Sequence, residues 1–170
     1  MATIPTKKPP CLIVDASVLI ALCAREPEKY VLADSELTRY ANAGFEFYAP
    51  GVIIAESLYV LCNKLKVSNL SASAHADAIS DLCAYMDIIN APPSGDNSLI
   101  ARAEQIRSEY GCSRSADGLY IALAEELAAK GTAELLTFDS NMDSQSKMVA
   151  PTVVVTLLKL LPLPIPPSPP

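Results

Sequence analysis

Short apolar runs the length of a β-strand alternate along this chain with longer helix-patterned segments, and that alternation restricts the fold more than any other feature. The run CLIVD at 11–15 passes into ASVLIALCA without a Gly or Pro break. Residues 29–43 read as a helix closed by Gly44, and FEFYA at 45–49 as a strand. Pro50 and Gly51 open a helix over 52–65, Ser71 caps another to about residue 84, and MDIIN at 86–90 is a short strand candidate. Asp96 is placed to cap a helix reaching Tyr110 and Gly111, and Ser115 one reaching Lys130 and Gly131. ELLTF then leads into Asp139, and TVVVTLL is the last strand candidate. Strands separated by helices need crossover connections, which predicts a mostly parallel sheet covered on both faces: an α/β chain with three α/β/α layers.

The chain has 170 residues, enough for one domain that buries roughly 70% of its unfolded surface. Residues 11–158 read as that domain, 1–10 as an N-terminal extension and 159–170 as a Pro-rich tail. The tail sequence LPLPIPPSPP excludes helix and central strand, and it is read as disordered rather than as a docking peptide. Apolar residues make up 51% and charged residues 19%, a surplus that predicts a large aliphatic core and an apolar face for a second chain. The net charge of −6 argues against a broad basic groove for long nucleic acid, but not against a nuclease whose own carboxylates supply that charge. The five cysteines (Cys11, Cys23, Cys62, Cys83 and Cys112) form no C-x-x-C pair, so buried thiols in a reducing cytoplasm are expected.

Lys7 and Lys8 before CLIVDASVLIALCA imitate a signal peptide, yet Asp15 interrupts the apolar run, and a strand entering a helix explains it better. No apolar run approaches 18 residues, so no membrane span is expected.

Four acids stand out. In an open parallel sheet, sites form beyond the carboxyl ends of the strands, and both Asp15 and Asp139 follow a strand. Each alone is an ordinary turn residue. Glu56 has Val52, Ile53, Tyr59 and Val60 as helical neighbours, a setting that requires compensation from a lysine or a bound cation. Asp117 sits in a first helical turn, where the helix dipole favours it, but Tyr120, Ile121 and Ala124 make its face apolar and turn it inward. Four converging carboxylates repel one another, and Mg2+ or Mn2+ relieves that conflict because hard cations take oxygen ligands.

On these segments (LIVDASVLIAL, PGVIIAESLYVL, SADGLYIALAEEL and LLTFDSNM) the sequence resembles PIN domains, and among them the VapC toxins of toxin–antitoxin pairs. The resemblance runs from about residue 11 to 156 and implies Mg2+ or Mn2+ dependence, endoribonuclease activity on RNA, a homodimer and a VapB-like antitoxin partner. It implies Asp15 and Asp117 as direct metal ligands, with Glu56 and Asp139 completing the set by holding waters or acting as general base. Ser17 and Thr137 are placed to hydrogen-bond the acids or a metal-bound water, and Arg114 to contact substrate phosphate. Phe138 departs from the pattern, standing where such toxins often carry a polar or basic residue.

Other readings are weaker. A phosphatase with an aspartate nucleophile after its first strand needs a second acid where Ser17 stands. Ser/His/Asp hydrolysis would rest on His75 alone, in the polar stretch SASAHADAIS. The remaining alternative is a PIN-like protein- or RNA-binding module that has lost catalysis.

Overall fold

Leu12, Ile13 and Val14 have no solvent exposure, which an interior strand achieves only when both faces of its sheet are covered. They belong to β1 (Cys11–Val14), the centre of the computed structural model, which describes residues 8–111 and 116–160. The chain then runs through α1 (Ala16–Cys23), α2 (Pro27–Asn42), β2 (Glu46–Tyr48), α3 (Val52–Lys66) and α4 (Ala72–Met86). It continues with α5 (Asp96–Glu109), α6 (Asp117–Ala128), β3 (Ala133–Thr137), α7 (Ser140–Val149) and β4 (Val154–Leu157).

The four strands lie in the order β2-β1-β3-β4, every neighbouring pair parallel. Val14 stands opposite Leu136, so the residues after β1 and the end of β3 meet at one edge. Helices α1 to α4 pack as one group and α5 to α7 as another, with α6 against β1 and β3. The sheet is therefore the middle of three layers, as the alternation of runs predicts. Among the described residues no helix is long and apolar enough to cross a membrane.

Several local expectations change. Asp96 does not cap α5: Gly95 takes that place, and the Asp96 carboxylate accepts from the Gly51 N–H at 2.8 Å, tying the start of α5 to the start of α3. MDIIN is not a strand, because α4 runs on to Met86 and only Asn90 bridges Tyr48. Helix α7 has no signature in the sequence, since its buried face includes Asp143, Gln145 and Ser146 beside Met142 and carries no apolar period. Cys62 and Cys83 are exposed, against the expectation of buried thiols. Ser115, Cys112 and the tail 161–170 lie outside the described residues.

The core is not purely aliphatic. Tyr40 and Tyr120 are its largest fully buried side chains, and each donates its hydroxyl to a glutamate: Tyr40 to Glu134 at 2.5 Å and Tyr120 to Glu56 at 2.6 Å.

Gly118, the residue after Asp117, sets the approach of α6 to α5. A Cβ there would lie 2.6 Å from the Ala103 carbonyl oxygen, which is backbone and cannot swing aside. Gly118→Ala should therefore destabilise the fold by roughly 1–3 kcal/mol in urea melts, as overpacking does. Gly131→Ala is the comparison, because nothing lies within 4 Å of its added methyl. Equal stability of the two variants would refute this account of the α5–α6 crossing.

Candidate active site

From β1 the chain turns toward β2 at one side of the sheet, and from β3 toward β4 at the other. The two central strands thus diverge in their connections, and the crevice at their carboxyl ends is the topological switch point where such sheets bind ligands. Asp15 follows β1 there and Asp139 follows β3.

Asp15 caps α1 and is only 5% exposed. Its Oδ2 accepts from the Ser17 N–H at 3.3 Å, from the Ser17 hydroxyl in a close contact, and from the Thr137 hydroxyl at 2.8 Å. Among the described residues no donor reaches Oδ1. Burial raises the Asp15 pKa above the ordinary aspartate value; the Ser17 and Thr137 hydrogen bonds offset part of this, and the Glu56 charge adds to it.

Ser17 and Thr137 also join the two strand ends. The Ser17 Oγ accepts from the Phe138 N–H at 3.0 Å, and the Thr137 Oγ1 accepts from the Asp139 N–H at 2.8 Å. The Asp139 carboxylate is half-exposed and caps α7, its Oδ1 accepting from the Asn141 N–H at 2.7 Å.

Glu56 is half-buried on α3. A structural salt bridge was one expectation for it, but among the described residues no lysine or arginine forms its ion pair. Its partner is the Tyr120 hydroxyl. Burial raises the Glu56 pKa, Tyr120 holds it back, and the charge of Asp117 pushes it further up. Asp117 begins α6 and is 7% exposed, so its side chain is inward as its apolar neighbours imply.

Asp15, Glu56 and Asp117 are thus linked in a chain of like charges, and Asp139 is linked to Asp15 through Thr137. Among the described residues, no group of three or more histidine, cysteine, aspartate or glutamate side chains is arranged to hold a metal ion. Arg114 lies outside the described residues. A basic group nevertheless stands beside Phe138: the Lys29 Nζ is 5.7 Å from the centre of its ring, brought there by the start of α2. Sequence pattern did not single out Lys29, because its proximity arises through space.

Helical spacing places Tyr120 on the apolar face of α6 and gives its hydroxyl no partner. Its hydroxyl was the available signal, since a tyrosine buried one turn after Asp117 must find a partner for its O–H.

The PIN domain family model matches residues 12–147, most of the described chain. No curated protein matches. Among solved structures, the chain is similar to VapBC2 from Rickettsia felis bound to a DNA fragment from their promoter, with 12% identity and a TM-score of 0.58. That alignment covers 88% of this chain and 99% of the other. It is also similar to PAE2754 from Pyrobaculum aerophilum, with 17% identity, a TM-score of 0.50, and coverage of 86% and 83%. At these identities the likeness speaks for the fold, and the family match, reaching from the first strand through Asp139, speaks for the rest: the chain belongs to the PIN domain family.

Proposed function

We propose that this protein is a metal-dependent endoribonuclease that hydrolyses phosphodiester bonds in RNA, acting as the toxin of a toxin–antitoxin pair. PIN domains as a class are nucleases that use divalent metal ions, so hydrolase chemistry follows from the family. The observation that carries the finer reading is the coupling of Asp15, Glu56 and Asp117, with the half-buried Glu56 held by the Tyr120 hydroxyl and, among the described residues, by no lysine or arginine.

The side chains fit a hard cation by donor type. They are carboxylates, Asp15 Oδ1 has no hydrogen-bond donor among the described residues, and burial beside like charge makes a cation favourable. Asp15 and Asp117 would hold Mg2+ or Mn2+, with Glu56 and Asp139 completing the set. When bound, such an ion supplies Lewis-acid stabilisation of the charge that develops on the phosphoryl oxygens.

The remaining work belongs to the protein. Ser17 and Thr137 fix the Asp15 carboxylate by holding its Oδ2. Glu56, with a carboxylate more basic than usual, accepts the proton of the attacking water at Oε1, the oxygen that Tyr120 does not engage. Lys29, and Arg114 from the segment before α6, contact substrate phosphate.

Partners belong to the same proposal. Ile54, Leu58 and Tyr59 on α3 are 44%, 43% and 70% exposed, an apolar strip suited to a second copy of the chain or to an apolar segment of a VapB-like antitoxin. The Rickettsia felis neighbour is itself a VapBC2 assembly on DNA, which favours an antitoxin here. Cysteines that remain free accord with a reducing cytoplasm.

The test is cleavage of a single-stranded RNA by the purified protein with Mn2+, with EDTA, and as Asp117→Asn. Cleavage only by the metal-loaded parent is expected, together with slowed growth when the protein is expressed alone. An intact RNA in every arm would instead identify a PIN-like binding module without catalysis.

A further inference from the structure

Tyr120 is 1% exposed and lies one helical turn after Asp117, on the same face of α6. Its hydroxyl donates to Glu56 Oε2 at 2.6 Å, reaching from α6 to α3. One hydroxyl therefore connects the helix that Asp117 begins to the helix that carries Glu56.

The choice of donor matters. A lysine in this place would neutralise Glu56 and repel an incoming cation. A phenol orients the carboxylate by one strong hydrogen bond and leaves its charge in place. The simpler explanation, a core tyrosine satisfying its own O–H on the nearest acid, has a counterpart in the same molecule. Tyr40 is equally buried and donates to Glu134, but Glu134 faces Thr156 and none of the four acids. Tyr120 differs from Tyr40 in where its acid stands.

We propose that Tyr120 is a positioning residue for the metal centre: it fixes the orientation of the Glu56 carboxylate without discharging it, so that Glu56 keeps its negative charge for a cation. This rests on the metal-dependent reading above and adds to it a residue that need not touch the ion. Hydrogen-bond partners of metal-holding carboxylates are worth on the order of 10–100-fold in metal affinity.

The experiment measures Mn2+ binding to the full chain by the electron paramagnetic resonance signal of free Mn2+. It compares the parent with Tyr120→Phe, Tyr40→Phe, Glu56→Gln and the double variant Tyr120→Phe/Glu56→Gln. Tyr120→Phe should weaken Mn2+ by roughly tenfold or more. Tyr40→Phe, which loses a hydrogen bond of the same kind, should leave the affinity unchanged. In the Glu56→Gln background the Tyr120→Phe loss should vanish, because the phenol acts through that carboxylate.

Glu56→Asp gives a second route should Tyr120→Phe fold poorly. It keeps the charge but shortens the reach to the phenol, and should weaken Mn2+ by a similar factor. Parent-like affinity in Tyr120→Phe or in Glu56→Asp would overturn the proposal, as would an equal loss in Tyr40→Phe. A parent protein that takes up no Mn2+ at all would instead remove the metal-dependent reading, and this proposal with it.

Discussion

Asp15→Asn should slow cleavage of single-stranded RNA by roughly two orders of magnitude or more, equivalent to about 2.7 kcal/mol of lost transition-state stabilisation. Asparagine retains a carbonyl oxygen where Ser17 and Thr137 donate to Oδ2, so the link between the strand ends survives. What disappears is the negative charge, and a neutral amide group stands in place of Oδ1. Asp117→Asn should behave alike, with the double variant little worse than either single one, because ligands of one ion act as a unit. Asp34→Asn, on the exposed side of α2, should leave the rate unchanged. Similar small losses at all three positions would sink the nuclease reading.

The same substitution should stabilise the metal-free protein near neutral pH. The folded pKa of Asp15 is raised, so the folded state binds its proton more tightly than the unfolded chain does. Stability contributed by this group is then intact below the unfolded carboxylate value of about 3.9, and it declines as pH rises through the folded value. Above that, the parent carries a buried, repelled charge that Asp15→Asn lacks. Urea melts in EDTA at several pH values should show the variant's advantage widest near neutrality and narrowing in acid. An advantage that grew toward low pH would contradict the assignment.

Metal binding gives the other large effect. An ion that binds only the folded carboxylates stabilises by RT ln(1 + [L]/Kd), about 2.7 kcal/mol at a hundred times Kd. For a chain of this size each kcal/mol moves the midpoint by roughly 2–4 °C, so saturating Mn2+ should raise Tm by roughly 5–10 °C. EDTA should reverse the shift, and Asp15→Asn should abolish it. A melting curve indifferent to Mn2+ and EDTA alike would eliminate the metal centre.

Much of this architecture was legible because the strands β1 and β3 are buried on both faces and appear as unbroken apolar runs, with an acid directly after each. The inward placement of Asp117 was legible from Tyr120, Ile121 and Ala124 at helical spacing. Helix α7 was not, because polar residues occupy its buried face and erase the periodicity. The hydroxyl bridges from Ser17 and Thr137 could be suspected from spacing, but their partners across the strands could not, since Ser17 and Phe138 are 121 residues apart. Lys29 and the Tyr120–Glu56 bond escaped for the same reason: each depends on the crossing of two helices, or of a helix and a strand end, that no local pattern encodes.

The order of the strands also constrains when the site can exist. β1 is made at the start of the chain, yet its partner on one side is β3, and Asp15 meets Thr137 across 122 residues of sequence. A nascent chain that has produced Asp15, Glu56 and even Asp117 still lacks the strand that closes the switch point and the hydroxyl that clamps Asp15. Contacts so distant in sequence form late, after the entropy of a long loop has been overcome. During synthesis the growing polypeptide thus carries Asp15 without its Thr137 partner, and joins the two only once β3 has been made.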